Sequence, residues 1–529
     1  MRISPETGEV IFEQPINSGT QFDFVDQVLW TTKSGKVDTG RTYRKQYYSA
    51  KLNYAHSFGV HNVTALGLFS REKNARGNEF ARYREDWVFR LTYDYNKKYM
   101  FEANGAYNGS EKFGPGYRFD FFPSLSAGWM LSEESFMKTM SFIDMFKIRG
   151  SWGRIGDDAI GGRFLYADQW VYGNHAFLGS YSNTESIYTY FTNSRVGNPN
   201  ISWETVEKRN IGVDYAFLGG LIAGSFDYFN DYRSNILLSG GNRAIPSFFG
   251  GKPSDGNFGE VKASGYEFEV RLSKQIRELR LWANVNMTHA TNKVEFADDT
   301  EFTPEYQKSE GYTINQVRSY IDSGFLSSWD DVLGSTVRQE ENARKLAGDY
   351  NIIDFNGDGL IDQDDRAPYG FSGIPQNTYS ATLGVDWKGL NFSMQFYGVS
   401  NVTREVNFPT FYETKDIAYD EGTYWTVDEG GDVPLPRWIA NKASDARGTR
   451  YWYDGSYVRL KTAELGYTFK KGWTKLVGMN SCKLYVSGNN LFLWTDMPDD
   501  RESNTSGQNS RNGAYPTMSR VTFGVDITF

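Results

Sequence analysis

The stretch Asp354-Phe-Asn-Gly-Asp-Gly-Leu-Ile-Asp-Gln-Asp-Asp365 carries oxygen-bearing side chains at its positions 1, 3, 5, 9 and 12. They belong to Asp354, Asn356, Asp358, Asp362 and Asp365. Gly359 stands at the sixth position, where such a loop turns sharply, and the Leu360 carbonyl can serve at the seventh. Calcium takes six to eight oxygens, and this spacing wraps them around one point. The twelfth residue is Asp rather than the usual bidentate Glu, and its shorter carboxylate still ligates. The plainer alternative is an Asp/Asn/Gly turn in a solvated loop. The spacing favours calcium, in a structural role, because no catalytic partner lies nearby in sequence.

Other groups with chemical potential give weaker signals. His56, His61, His175 and His289 are scattered, and no pair has metal-ligand or catalytic spacing. Glu267 and Glu269 could suggest a glycosidase pair, but they alternate on one strand face and read better as a wet wall. Gly150-Ser-Trp-Gly153 lacks the strand–turn–helix context of a nucleophile elbow. No catalytic residue is therefore assigned. Tyr424, Trp425, Trp438, Tyr451 and Trp452 could stack on sugar rings, or equally form an interface belt or loop core. Cys482 is the single cysteine, which excludes internal disulfides and cysteine metal clusters. The excess of 65 Asp+Glu over 56 Lys+Arg argues against nucleic acid as a partner.

The elements that hold these groups are strands. In Tyr266–Leu272 and Tyr379–Trp387 every second residue is apolar, as it is from Val521 to Phe529. Such strands have one apolar and one wet face. About fifteen of them are expected, near residues 43–57, 61–71, 83–96, 98–110, 117–131, 144–155, 203–217, 221–234, 258–273, 278–293, 377–388, 390–401, 454–470, 481–494 and 517–529. Each is near the 9–11 residues that cross a bilayer as a tilted strand. Short connections alternate with long ones such as 156–202, 235–257, 294–376, 402–453 and 495–516. Transmembrane barrels, with short periplasmic turns and long extracellular loops, produce that asymmetry. One short-side connection is expected to be helical, with Ser132 capping Glu133–Met140. Aromatic residues form 16% of a chain whose hydrophobic share is 39%, which suits girdles at two membrane interfaces. No apolar run is long enough for a spanning helix.

Several blocks resemble the SusC/RagA-type TonB-dependent transporters of Bacteroidetes. Asn198-Pro-Asn-Ile-Ser-Trp-Glu-Thr205, Arg209-Asn-Ile-Gly-Val-Asp-Tyr215 and Gly224-Ser-Phe-Asp-Tyr-Phe229 follow that family's order. So do Asn257-Phe-Gly-Glu-Val261, Gly265–Val270, Ser456–Lys461, Glu464–Phe469 and Tyr485–Phe492, and Phe529 resembles its C-terminal aromatic. The resemblance implies a roughly 22-stranded barrel and a lumen plug. It also implies a segment for TonB and a SusD-like surface lipoprotein lid, with glycans or peptides as cargo.

The expected fold is thus all-β, an antiparallel up-and-down transmembrane β-barrel in the cell outer membrane, in contact with its lipid. The chain would form a partial barrel over 43–529, after a lead-in over 1–42 with room for one further strand. Plug, TonB-binding segment and signal peptide are not found, so residue 1 is not expected to be the natural start. Two rival readings stand: a secreted acidic all-β enzyme that degrades polysaccharide, and a surface barrel or adhesin that transports nothing.

Overall fold

The computed structural model describes residues 2–3, 10–11, 13–16, 21–24, 42–175, 188–240, 248, 253–335, 338–339, 345–405, 425–431, 448–449, 452–470, 472, 478–497 and 517–529. Fifteen strands form one antiparallel sheet. They are β1 (Tyr43–Phe58), β2 (His61–Arg76), β3 (Arg82–Tyr95), β4 (Tyr99–Ser110) and β5 (Phe119–Met130). Next come β6 (Ile143–Asp157), β7 (Glu204–Phe217), β8 (Ile222–Leu238), β9 (Gly256–Ile276) and β10 (Leu279–Phe296). The last are β11 (Asn377–Trp387), β12 (Leu390–Ser400), β13 (Tyr457–Lys470), β14 (Ser481–Thr495) and β15 (Arg520–Thr528). Each strand pairs with its neighbour in sequence, from β1 at one end of the order to β15 at the other. This is the expected up-and-down meander. Fractionally few residues separate most strands on one side, while the other side carries the long loops.

The chain divides into two units, Met1–Tyr48 with Glu72–Tyr83, and Ser49–Arg71 with Arg84–Phe529. In the first, Arg2–Ile3 pairs with Val10–Ile11 and Glu13–Ile16 with Gln21–Phe24. There the Lys45 Nζ lies 2.9 Å from Glu72. The second unit holds nearly all of the sheet and the long loops.

Period-2 alternation becomes two chemically distinct faces. The register lines up Ser225, Glu269, Asn286, Ser380 and Tyr397 on one face, and Phe226, Phe268, Met287 and Tyr379 on the other. The apolar face stays bare: Ile211, Phe226, Tyr228, Tyr266, Leu383 and Phe523 are all exposed. Buried side chains gather instead at the long-loop ends of the strands, in three small clusters. These are Phe113, Phe122, Ile160, Leu165, Ile201 and Trp203; Tyr350, Ile352 and Ile361; and Val399, Val402 and Tyr457. Water would not tolerate so much bare apolar sheet, whereas lipid needs it.

The short turns are built for tight reversal. Lys388 and Gly389 both have positive φ, at 49° and 97°, the primed geometry whose twist matches the flanking strands. Rings cluster on this side, where Tyr95, Tyr99 and Trp129 stack in sequence at 6.2 and 6.3 Å. One expectation fails here. No helix capped by Ser132 covers Glu133–Met140. The chain instead makes a 3-10 turn at Leu131–Glu133, and Glu134 is extended, with φ −77° and ψ 147°. The cause is Glu134 itself. Its carboxylate accepts from Tyr99 Oη at 2.7 Å, Trp129 Nε1 at 3.2 Å and Lys98 Nζ at 3.3 Å. Those bonds pull the residue back to the sheet edge and out of helical geometry.

Candidate functional site

The acidic stretch lies in the connection between β10 and β11, next to the cluster of Tyr350, Ile352 and Ile361. Asp365 is fully buried. Its Oδ1 accepts from the Phe355 amide at 2.7 Å and its Oδ2 from the Asp362 amide at 2.8 Å, so the last residue of the stretch closes on the second. Asp354 accepts from the amides of Gly357, Asp358 and Gly359 at 2.8, 3.2 and 2.8 Å. Asn356 Oδ1 takes the Asp358 amide at 3.0 Å, Asp358 Oδ1 the Leu360 amide at 2.8 Å and Asp362 Oδ1 the Asp364 amide at 2.8 Å. Gly357 and Gly359 provide the left-handed turns, at φ 75° and 86°.

All five expected side chains are therefore brought into one wrapped loop, each resting on the loop's own amides. The Leu360 side chain is exposed. Among the described residues, no three His, Cys, Asp or Glu side chains converge as a ready metal cage. The donor chemistry still fits a hard cation. A carboxylate oxygen that accepts one N–H keeps a second lone pair, and a cation would draw on those pairs. The concentrated negative charge acts on its surroundings. Burial, then the field of Asp365, Asp364, Asp358 and Asp362, pushes the Tyr306 hydroxyl above its ordinary pKa. Tyr306 Oη and Gln307 Nε2 both donate to the Asp364 carbonyl, at 2.6 and 2.7 Å, and the Tyr306 ring packs edge-on against Phe355 at 4.8 Å.

The polar face of the sheet holds a second arrangement that sequence reasoning missed. Arg149 on β6 donates to Asp214 on β7 at 3.2 Å and makes two bonds of 2.6 Å to Asp227 on β8. The signal was present: Lys147, Arg149 and Ser151 share one parity of β6, and Asp214 and Asp227 share the matching parity of the next strands. On β13 and β14, Glu464 accepts from Lys483 at 2.6 Å. These pairs make a charged, ordered wall on the polar face.

The remaining candidates disperse. His61 bonds Tyr93 at 2.9 Å and His289 bonds Asn377 at 2.6 Å, with no histidine pair. Of His175, only its place at the end of the strand Gln169–His175 is described. Glu267 and Glu269 lie on the polar face, and Glu269 is held by Arg271 at 2.5 Å. Trp425 is buried in its loop and Trp452 sits on a short strand. Tyr424, Trp438 and Tyr451 lie outside the described residues. Cys482 is buried.

A family model described as "TonB dependent receptor-like, beta-barrel" matches residues 12–491. TonB-dependent receptor P3 of Formosa agariphila is 26% identical over 541 residues, spanning 90% of this chain and 52% of that protein. TonB-dependent receptor SusC of Bacteroides thetaiotaomicron is 24% identical, over 76% of this chain and 40% of its own length. The chain thus spans about half the length of the curated relatives it matches. Among solved structures, the RagAB peptide importer in its closed-closed state superposes with a TM-score of 0.67 at 15% identity, covering 92% of this chain and 56% of that one.

Proposed function

This chain belongs to the TonB-dependent receptor-like β-barrel family, and we propose that it forms much of the wall of an importer for glycans or peptides. Barrels of this family are outer-membrane proteins. The observation that carries the import reading is the two-faced sheet: a bare apolar face for lipid, and a polar face ordered by Arg149–Asp214–Asp227 and Lys483–Glu464. The proposed mechanism is passage of cargo along that polar wall. A plug gates the passage, TonB supplies energy through a region outside 43–529, and a SusD-like lipoprotein covers the long-loop side. Relatives named as a SusC receptor and as a peptide importer support the cargo class. The test is uptake by cells. Deleting the gene should abolish growth on one defined class of oligosaccharide or oligopeptide, and a protonophore should stop that uptake in the parent strain. Unchanged growth across both panels would overturn the reading.

We further propose that Asp354, Asn356, Asp358, Asp362 and Asp365, with the Leu360 carbonyl, hold a structural calcium ion. Five carboxylates between residues 354 and 365 repel one another, and a bound cation would offset that repulsion. Calcium titration should saturate for the native protein and weaken at least about tenfold for Asp358→Ala. Equal, negligible binding by both would remove the ion from this account.

A further inference from the structure

We propose that a groove on the apolar face between β3 and β7 holds one lipid whose headgroup carries both a phosphate and an ammonium, as a phosphoethanolamine lipid does. The inference needs only the outer-membrane placement and is independent of the cargo. The groove has a volume of about 700 Å³. Phe101 and Leu125 form one wall, Trp152 and Ile211 the other, and Ala127 and Gly150 lie between them. Ala127, Gly150 and Ile211 are direct cross-strand partners, so the low floor sits where three strands meet.

Nothing in the local backbone demands glycine at 150. A Cβ placed there would meet no atom closer than the Asn210 carbonyl oxygen, at 3.9 Å. Its φ is not in the left-handed region either. The missing side chain therefore serves the space above the sheet, and on this face the space is filled by an acyl chain.

The groove ends at a charged pair on the same face. Trp152 Nε1 donates to Glu207 Oε1 at 3.0 Å, and Arg209 donates to the same oxygen from Nε at 2.9 Å and Nη2 at 2.5 Å. All three bonds end on one oxygen. Among the described residues, Glu207 Oε2 and Arg209 Nη1 accept and donate nothing, and the Arg209 side chain is 67% exposed. A free carboxylate oxygen beside a free guanidinium edge complements an ammonium and a phosphate together. A purely anionic headgroup would meet the guanidinium but be repelled by Glu207.

The height is also right. Arg209 precedes Phe217, the short-turn end of β7, by eight residues (217 − 209). At about 3.3 Å per residue and a tilt of about 40°, that is roughly 20 Å up an apolar band about 25 Å tall. The headgroup then lies at the interface on the long-loop side, with its chain running down the groove.

The test uses the protein purified from outer membranes in mild detergent and stripped of lipid. Dioleoyl-phosphatidylethanolamine or dioleoyl-phosphatidylglycerol is added back, and retained lipid is counted by native mass spectrometry. The native protein should hold one phosphatidylethanolamine about tenfold more tightly than phosphatidylglycerol. Gly150→Leu, which fills the groove, and Glu207→Gln, which removes the carboxylate that meets the ammonium and repels an anionic headgroup, should each erase that preference. Val525→Phe, on the apolar face of β15, should keep it. Heat-shifted gel mobility identifies the folded variants. Equal retention of both lipids by the native protein, or an undiminished preference in folded Glu207→Gln, would overturn the proposal whatever Gly150→Leu does.

Discussion

Single residues decide how charged groups are held on the polar face and at the short turns. Arg149 joins Asp214 and Asp227, and its side chain is about one-third exposed. Arg149→Met would leave the two carboxylates with only Lys147 nearby, its Nζ 4.0 Å from Asp214. Discounted for partial exposure, the expected loss is on the order of 2 kcal/mol in urea unfolding, and adding Asp227→Asn should restore part of it. No recovery in the double variant would mean that the pair is not coupled. Glu134 gives a pH prediction. Hydrogen bonds from Tyr99 and then Trp129, with the charge of Lys98, hold its carboxyl below the ordinary carboxylate range. A carboxyl lowered in the folded state adds stability above its unfolded pKa and loses it as pH falls through the lower, folded value. Amide exchange in residues 131–140, corrected for intrinsic rates, should therefore quicken only in acid, as pH falls below the ordinary carboxylate range. Glu134→Gln should flatten that dependence, and an unchanged pH profile would remove the assigned cause. The acidic loop was legible in the sequence because its spacing is local. Arg149 with its two aspartates was not read, because those partners meet only through the register of three strands.

At the scale of elements, alternation located all fifteen sheet strands to within a few residues, since each strand must show lipid one face. What it missed was length. β9 runs for 21 residues, Gly256–Ile276, starting before and ending after the expected 258–273. Strands continue as a polar ladder beyond the apolar band, where no alternation of hydrophobicity marks them. The helix expected after Ser132 failed for a tertiary reason, the anchoring of Glu134, that no local propensity carries. Neighbouring strands also fit by size. Gly384 faces Trp282 across β10 and β11, and an added Cβ would meet the indole at 2.1 Å. The Trp282 indole donates to Asp386 at 3.2 Å. Gly384→Val should displace the ring and cost about 1–3 kcal/mol, whereas Gly373→Val, with open space around it, should cost far less. Equal stability of the two in urea titration would contradict the packing argument.

For the whole molecule, everything rests on which face of the sheet meets lipid. A soluble all-β enzyme would bury its apolar parity, yet here Tyr266 and Phe226 stay exposed and no buried cluster includes them. The same parity that points Tyr266, Phe268 and Val270 to one side points Glu267 and Glu269 to the other. The most direct test changes Cys482 to Ala and places single cysteines at positions 266, 267, 268, 269 and 270 of the protein in outer membranes. Each is then labelled with an environment-sensitive fluorophore. Labels at 266, 268 and 270 should be quenched by spin-labelled lipid and shielded from iodide, while 267 and 269 should show the reverse. Iodide quenching of 266, 268 and 270, with lipid probes silent, would contradict the membrane barrel and the importer built upon it.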